Sequence, residues 1–173
     1  MKPGVVRQNR RYEHPRELVW RALTEPELLE RWLMKNDFRA EVGHRFTFRT
    51  DPGPGFDGVV HCEVLELVPL ERMVWSWRGG PLDTKIRFEL TEEDGGRATR
   101  LEVEHSGFRG LKARIVQRLL GLGWRTMYGK RIPALLDELA RGAELSPNDD
   151  ESCMDKKQGA IVRVLGALEG EKK

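Results

Sequence analysis

The stretch Arg72-Met73-Val74-Trp75-Ser76-Trp77-Arg78-Gly79-Gly80-Pro81-Leu82-Asp83-Thr84-Lys85-Ile86-Arg87-Phe88-Glu89-Leu90 decides the fold. Large apolar side chains fall at 73, 75 and 77, and again at 86, 88 and 90. Their neighbours are mostly polar. This is the period of a strand with one buried face and one wet face. Gly79-Gly80-Pro81 between the two runs reads as a tight turn, so the stretch is an antiparallel hairpin. The same period continues outward on both sides. Phe46 and Phe48 alternate with Arg45, Thr47 and Arg49, and Leu101, Val103 and His105 alternate with Arg100, Glu102 and Glu104. Residues 59–68 are apolar on both phases, with Val60, Cys62 and Val64 set against Val59, Leu65 and Leu67. A long strand carrying a bulge produces that pattern, because a bulge shifts the phase by one residue. Turn residues separate the runs at Asp51 to Gly58, Pro69-Leu70-Glu71 and Asp94-Gly95-Gly96.

Beyond the sheet the period becomes helical at both ends. Residues 5–12 form a polar strand candidate, and His14-Pro15 opens a helix with Leu18, Val19, Ala22 and Leu23 on one face. Thr24-Glu25-Pro26-Glu27 predicts a second helix begun by a capping box, with Leu28, Leu29, Trp32 and Leu33 as its buried stripe. From residue 110 two apolar stripes follow. One is Leu111, Ile115, Leu119 and Leu122; the other is Trp124, Met127, Tyr128, Leu135 and Leu139. On one ideal helix they are displaced by roughly 150° at 100° per residue. The expectation is a break at Gly121–Gly123, a main helix from about Trp124 to Arg141, and a kink or thinned hydrogen bonding at Pro133. The fold class is α+β: a curved antiparallel sheet of about six strands wrapped on a long C-terminal helix, with two short helices after the first strand. Residues 1–142 make this domain. Residues 143–173 form a loosely attached tail with a short helix candidate over 160–168.

Composition limits the functions open to the chain. Its 173 residues carry 30 basic and 28 acidic side chains, a net charge of +2, which excludes a histone-like nucleic-acid binder. Two cysteines supply neither a disulfide framework nor a multi-cysteine zinc site. No apolar run is long enough for an integral membrane segment, and the first residues lack a signal region. The expectation is a cytoplasmic protein with no metal, no cofactor and no nucleic-acid partner.

The candidate site rests on the inward phase of the strands and on the terminal helix. Trp32, Phe46, Phe48, Trp75, Trp77, Phe88, Trp124 and Tyr128 project toward the gap between sheet and helix, as pocket-lining or core-filling aromatics. His105 lies on the same inward phase. It is read either as a hydrogen-bonded core histidine or as a polar anchor and acid/base group. Arg7, Asn9, Arg10 and Tyr12 are further candidates, since one phase of that polar strand must face inward. Gly53-Pro54-Gly55-Phe56-Asp57-Gly58 spells a dinucleotide fingerprint, but a strand follows it, so no helix terminus is there to hold phosphate. His61 and Cys62 point to opposite faces and cannot share a metal; Cys153 stands alone. Ser106–Leu136 holds seven basic residues and no acid. That is either a solvated helix face or a patch for an anionic lipid, a phosphate-bearing ligand or an acidic partner, with a homodimer contact through 109–122 also open.

The segment from His14-Pro15-Arg16-Glu17-Leu18-Val19-Trp20 through Glu30-Arg31-Trp32 resembles the opening of the START-like SRPBCC superfamily. More narrowly it resembles bacterial homologues of the activator of heat-shock-protein-90 ATPase. Glu41-Val42-Gly43-His44-Arg45-Phe46-Thr47-Phe48, the hairpin already quoted, and Thr99 to Phe108 followed by Gly123-Trp124 extend the likeness over roughly residues 5–141. It departs at the basic, apolar stretch 109–122 and after 142. The resemblance implies a helix-grip fold with a hydrophobic cavity. The superfamily includes lipid carriers, cyclases, hydroxylase subunits and drug-sequestering proteins, so it implies no single activity. The leading expectation is non-catalytic binding of a hydrophobic or aromatic small molecule. The alternatives are a cyclase- or aldolase-type enzyme using His105, and a protein-binding module of chaperone-cofactor type.

Overall fold

A computed structural model describes residues 4–52 and 56–142, with Leu111 and Lys112 described by backbone alone. The expectations for Gly53 to Gly55, for Cys153 and for the tail helix at 160–168 lie outside these residues. The chain order is β1 (Val5–Tyr12), α1 (Arg16–Thr24), α2 (Pro26–Trp32), β2 (Lys35–Asn36), β3 (Arg45–Arg49), β4 (Val59–Val68), β5 (Arg72–Gly79), β6 (Leu82–Glu93) and β7 (Ala98–Ser106). A terminal helix follows in three pieces: α3 (Gly110–Thr126), a π-helical segment (Met127–Arg131) and α4 (Ile132–Ala140).

The strands form one antiparallel sheet in the order β1-β7-β6-β5-β4-β3-β2, curled around the terminal helix. The described residues therefore give seven strands where about six were expected. The addition is the two-residue β2, too short to carry a period. The alternation places the strands as read. Met73, Trp75 and Trp77 are buried on β5, and Ile86, Phe88 and Leu90 on β6. Gly79 pairs with Leu82 around a two-residue turn in which Gly80 adopts a φ of +51°, the region that favours glycine. The bulge falls at Leu65. Val64 pairs with Trp75 and Glu66 with Val74, so Leu65 is the extra residue, and it is exposed.

Two local expectations are corrected. Thr24 does not cap α2: it stays in α1, where its hydroxyl donates to the Trp20 carbonyl at 2.8 Å. Pro26 takes the first turn of α2 instead, behind an extended Glu25. Nor does the terminal helix break at Gly121–Gly123, which lie inside α3. The buried stripe of α3 is Ala113, Val116, Gln117, Leu120 and Trp124, so the Ile115–Leu119–Leu122 stripe faces outward, with Ile115 and Leu122 exposed.

The buried series Leu120, Trp124, Tyr128, Ile132 and Leu136 advances by four residues per turn. An ideal helix would drift by about 160° over those four steps. The wide π turn takes up that drift, and it sits just before Pro133. Ile132 N–H bonds back to the Met127 carbonyl five residues earlier. By the same step, the Tyr128 carbonyl would look to Pro133, which has no N–H. It accepts from the Tyr12 hydroxyl instead, at 2.7 Å. The thinned hydrogen bonding expected at Pro133 is present, and β1 fills the gap.

Candidate functional site

Alternation on β3, β5, β6 and β7 and the four-residue spacing of the terminal helix converge on one interior. All nine residues proposed from sequence reach it: Trp32, Phe46, Phe48, Trp75, Trp77, Phe88, His105, Trp124 and Tyr128 are each at most 4% exposed. Their rings touch in series. Phe88 meets Trp75 at 4.7 Å between centroids, Trp75 meets Phe48 at 5.8 Å, and Phe48 meets Trp77 at 5.5 Å. Trp77 meets Trp124 at 5.7 Å, Trp124 stacks on Tyr128 at 5.4 Å, and Tyr128 meets Trp32 at 5.6 Å. These separations are those of direct aromatic contact, so the rings close on one another.

His105 sits in a chain of hydrogen bonds that runs one way. Trp124 Nε1 donates to His105 Nδ1 at 3.2 Å. His105 Nε2 lies 2.8 Å from Thr84 Oγ1, and the Thr84 hydroxyl donates to the Trp77 carbonyl at 3.1 Å. With that hydroxyl proton spent on the carbonyl and the indole proton aimed at Nδ1, the ring carries its own proton on Nε2. Both nitrogens are engaged and the imidazole is neutral. Burial lowers its pKa from 6.5 to about 3. This arrangement matches the core-histidine reading; it leaves no ring nitrogen free for acid/base work on a ligand.

Two other polar atoms among the rings are not satisfied. Trp75 Nε1 and Tyr128 Oη are buried without a hydrogen-bond partner. Burial holds the Tyr128 phenol well above its ordinary pKa, so it stays protonated and able to donate. By contrast the Trp32 indole is satisfied, donating to the Ala22 carbonyl at 2.8 Å.

The first-strand candidates divide by phase. Arg7 and Asn9 face out, bonded to Glu104 and Glu102 of β7 at 2.8 and 2.7 Å. Tyr12 faces in, on the Tyr128 carbonyl. Arg10 also faces the helix: a methyl placed on Gly129 would lie 3.7 Å from its guanidinium, and its Nε is buried without a partner. Sequence reading missed Phe38, which contacts Phe46 and Trp75, and Phe108, whose ring lies 4.6 Å from that of His105. Both sit outside the alternating runs. Thr84 was missed as well, although it shares the inward phase of Ile86 and Phe88, a signal that could have found it. Cys62 is a free buried thiol. Among the described residues no three His, Cys, Asp or Glu side chains gather to hold a metal, and no helix is long and apolar enough to cross a membrane.

A search of curated proteins finds no match. Among solved structures the chain is similar to protein MLL2253 from Mesorhizobium loti, at 38% identity and a TM-score of 0.68, over 78% of this chain and 97% of that one. It shares its fold with the Aha1 dimer from Colwellia psychrerythraea at 19% identity and a TM-score of 0.63, over 81% of this chain and 98% of that one. The same holds for CalU16 from Micromonospora echinospora at 23% identity and a TM-score of 0.54, over 95% and 92%. Residues 13–137 match the family model described as activator of Hsp90 ATPase homolog 1-like protein. With that match spanning most of the chain, the protein belongs to this family, on the helix-grip fold of the SRPBCC superfamily.

Proposed function

We propose that the protein binds an apolar or aromatic small molecule carrying hydrogen-bond acceptors, held between the concave face of the sheet and the terminal helix. The observation that carries this reading is the pair of buried, unpartnered donors, Trp75 Nε1 and Tyr128 Oη, inside an otherwise apolar ring cluster. A buried donor without an acceptor costs free energy, and an entering carbonyl or ether oxygen would recover it. Without ligand the rings close the space, so a ligand enters by parting Trp77, Trp124 and Tyr128 along the sheet–helix seam. The π segment, where helical hydrogen bonding is already interrupted, is the place for that movement. His105, with both nitrogens engaged, acts as a fixed support, and the reading is non-catalytic.

The test is native mass spectrometry of the protein purified from its own host, repeated after denaturing extraction. The expected result is a bound species of defined mass, released on denaturation, which then quenches or enhances tryptophan fluorescence on titration. Tyr128→Phe and Trp75→Phe each weaken that binding by about threefold to tenfold, the worth of one neutral hydrogen bond. Binding unchanged in both variants removes the two donors from the reading. The Colwellia relative is described as a dimer; the same spectra read the assembly of this chain.

A further inference from the structure

A solvent-open groove of about 660 Å³ runs along the outer side of the seam between β1 and α3. Its strand wall is Val5 to Gln8; its helix wall is Arg118, Gly121, Leu122 and Arg125. No residue of the aromatic interior lines it. At the floor helix and strand are neighbours: a methyl on Gly121 would lie 3.7 Å from Val6 Cγ1, ordinary contact distance. Leu122 beside it is 62% exposed, an apolar surface with nothing covering it among the described residues.

The charge of the groove is one-sided. Arg7 is held by Glu104 at 2.7 Å. Arg118 and Arg125 have no ion-pair or hydrogen-bond partner among the described residues, and the sequence supplies no acid between Ser106 and Leu136. Spaced by seven residues, the two arginines lie two turns apart on one face, about 10 Å along the axis. An apolar floor argues for an apolar body, and two uncompensated guanidinium forks argue for an anionic head. A second copy docked face to face would instead bring four like charges together.

We propose that this groove binds an amphiphilic anion, with an acyl or aryl body against Val5, Val6 and Leu122 and a carboxylate or phosphate held between Arg118 and Arg125. The volume lies within the range of small-molecule sites. The proposal does not depend on the interior site.

The experiment titrates the full chain with dodecyl phosphate below its micelle concentration, followed by calorimetry and backbone amide shifts. Dodecanol and inorganic phosphate serve as half-ligand controls. The expected result is saturable binding with shifts centred on Val5 to Gln8 and Gly121 to Arg125, and each half-ligand at least tenfold weaker. The double variant R118Q/R125Q loses tenfold or more in affinity, as expected for charge-assisted hydrogen bonds. Gly121→Met keeps both charges but fills the floor, and weakens binding to a similar extent. R118Q/R125Q keeps the wild-type melting temperature, since both arginines face solvent, and the melt of Gly121→Met, whose side chain meets Val6, is recorded beside it. Undiminished binding in either variant overturns the proposal. So does a shift pattern centred on Trp75 and Tyr128, which belongs to the interior. Flotation with phosphatidylglycerol vesicles without binding of the monomeric amphiphile also overturns it, assigning the arginines to a bilayer surface.

Discussion

His105 shows how one buried polar side chain is made compatible with an aromatic interior. Its neighbours dictate a single neutral tautomer. Protonating Nδ1 would set two donors, the imidazolium and the Trp124 indole, against each other. The folded-state pKa of about 3 lies below the ordinary 6.5, so between these values the unfolded chain binds the extra proton and the native state does not. The stabilisation is complete above pH 6.5 and is lost as pH falls toward 3, on the order of 3–5 kcal/mol in all. Denaturant unfolding of wild type and His105→Phe across this window checks it: the variant should be less stable at pH 7 and show a shallower acid slope. Tyr128 predicts the opposite kind of result. Its hydroxyl has no partner, so Tyr128→Phe should leave the ligand-free protein as stable as wild type or more stable by up to about 1 kcal/mol. Thr84→Val, which strands the His105 Nε2 proton, should cost about 1–3 kcal/mol. At this scale the interior was legible wherever a residue sat on an alternating strand. Phe38 and Phe108 were not, because a residue between elements carries no period. The unpaired state of Trp75 and Tyr128 was not legible either, since sequence names a donor but not the acceptor it lacks.

The terminal helix is the element whose sequence reading was least accurate. Its two apolar stripes predict a break, but the stripe that begins at Trp124 is buried while Ile115 and Leu122 of the other face out. The signal that separates them is the four-residue spacing from Leu120 to Leu136, which selects a wide turn over a break. Leu120→Ala should therefore cost about 2–4 kcal/mol, and Leu122→Ala less than about 0.5 kcal/mol, by chemical denaturation. The π segment makes a second prediction. Tyr12 donates to a carbonyl that Pro133 cannot serve, so Tyr12→Phe should cost about 1–2 kcal/mol. In a Pro133→Ala background a main-chain N–H becomes available, and the same substitution should cost measurably less. A double-mutant cycle reads this coupling; additive effects would separate the proline from the tyrosine. The loss of the Thr24 capping box has a plain cause too: a threonine at the end of a helix can bond the carbonyl four residues back and stay inside it.

At the scale of the molecule, the sheet order places β1 beside β7 and nearest the helix, so the first strand closes the domain. The family match covers residues 13–137 and omits it. A chain limited to those residues would expose the whole inner edge of β7, remove Val6 and Tyr12 from the core, and leave the Tyr128 carbonyl unpaired. It should fail to give a cooperative melt by circular dichroism, while residues 4–142 should melt as one unit. The fold class, the two short helices, the hairpin and the presence of a bulge within residues 59–68 were all legible, because each rests on local period and turn chemistry; the bulge's position at Leu65 came from the pairing. The pairing of β1 with β7 was not. Its outward residues Arg7, Asn9 and Arg11 find carboxylates on β6 and β7 some 80 to 100 positions later, and such complementarity shows only once the strands are side by side.

That long separation also governs synthesis. The ribosome releases Val5 to Tyr12 early, but Thr99 to Ser106, the residues they pair with, follow only after the rest of the sheet. At about 5–20 residues per second the nascent strand waits on the order of 5–20 s without its neighbour. An apolar strand left open that long would invite association between chains. Arg7, Arg10 and Arg11 make this one a poor template for such contacts, so the polarity that weakens β1 as a strand signal also disfavours pairing between unfinished chains.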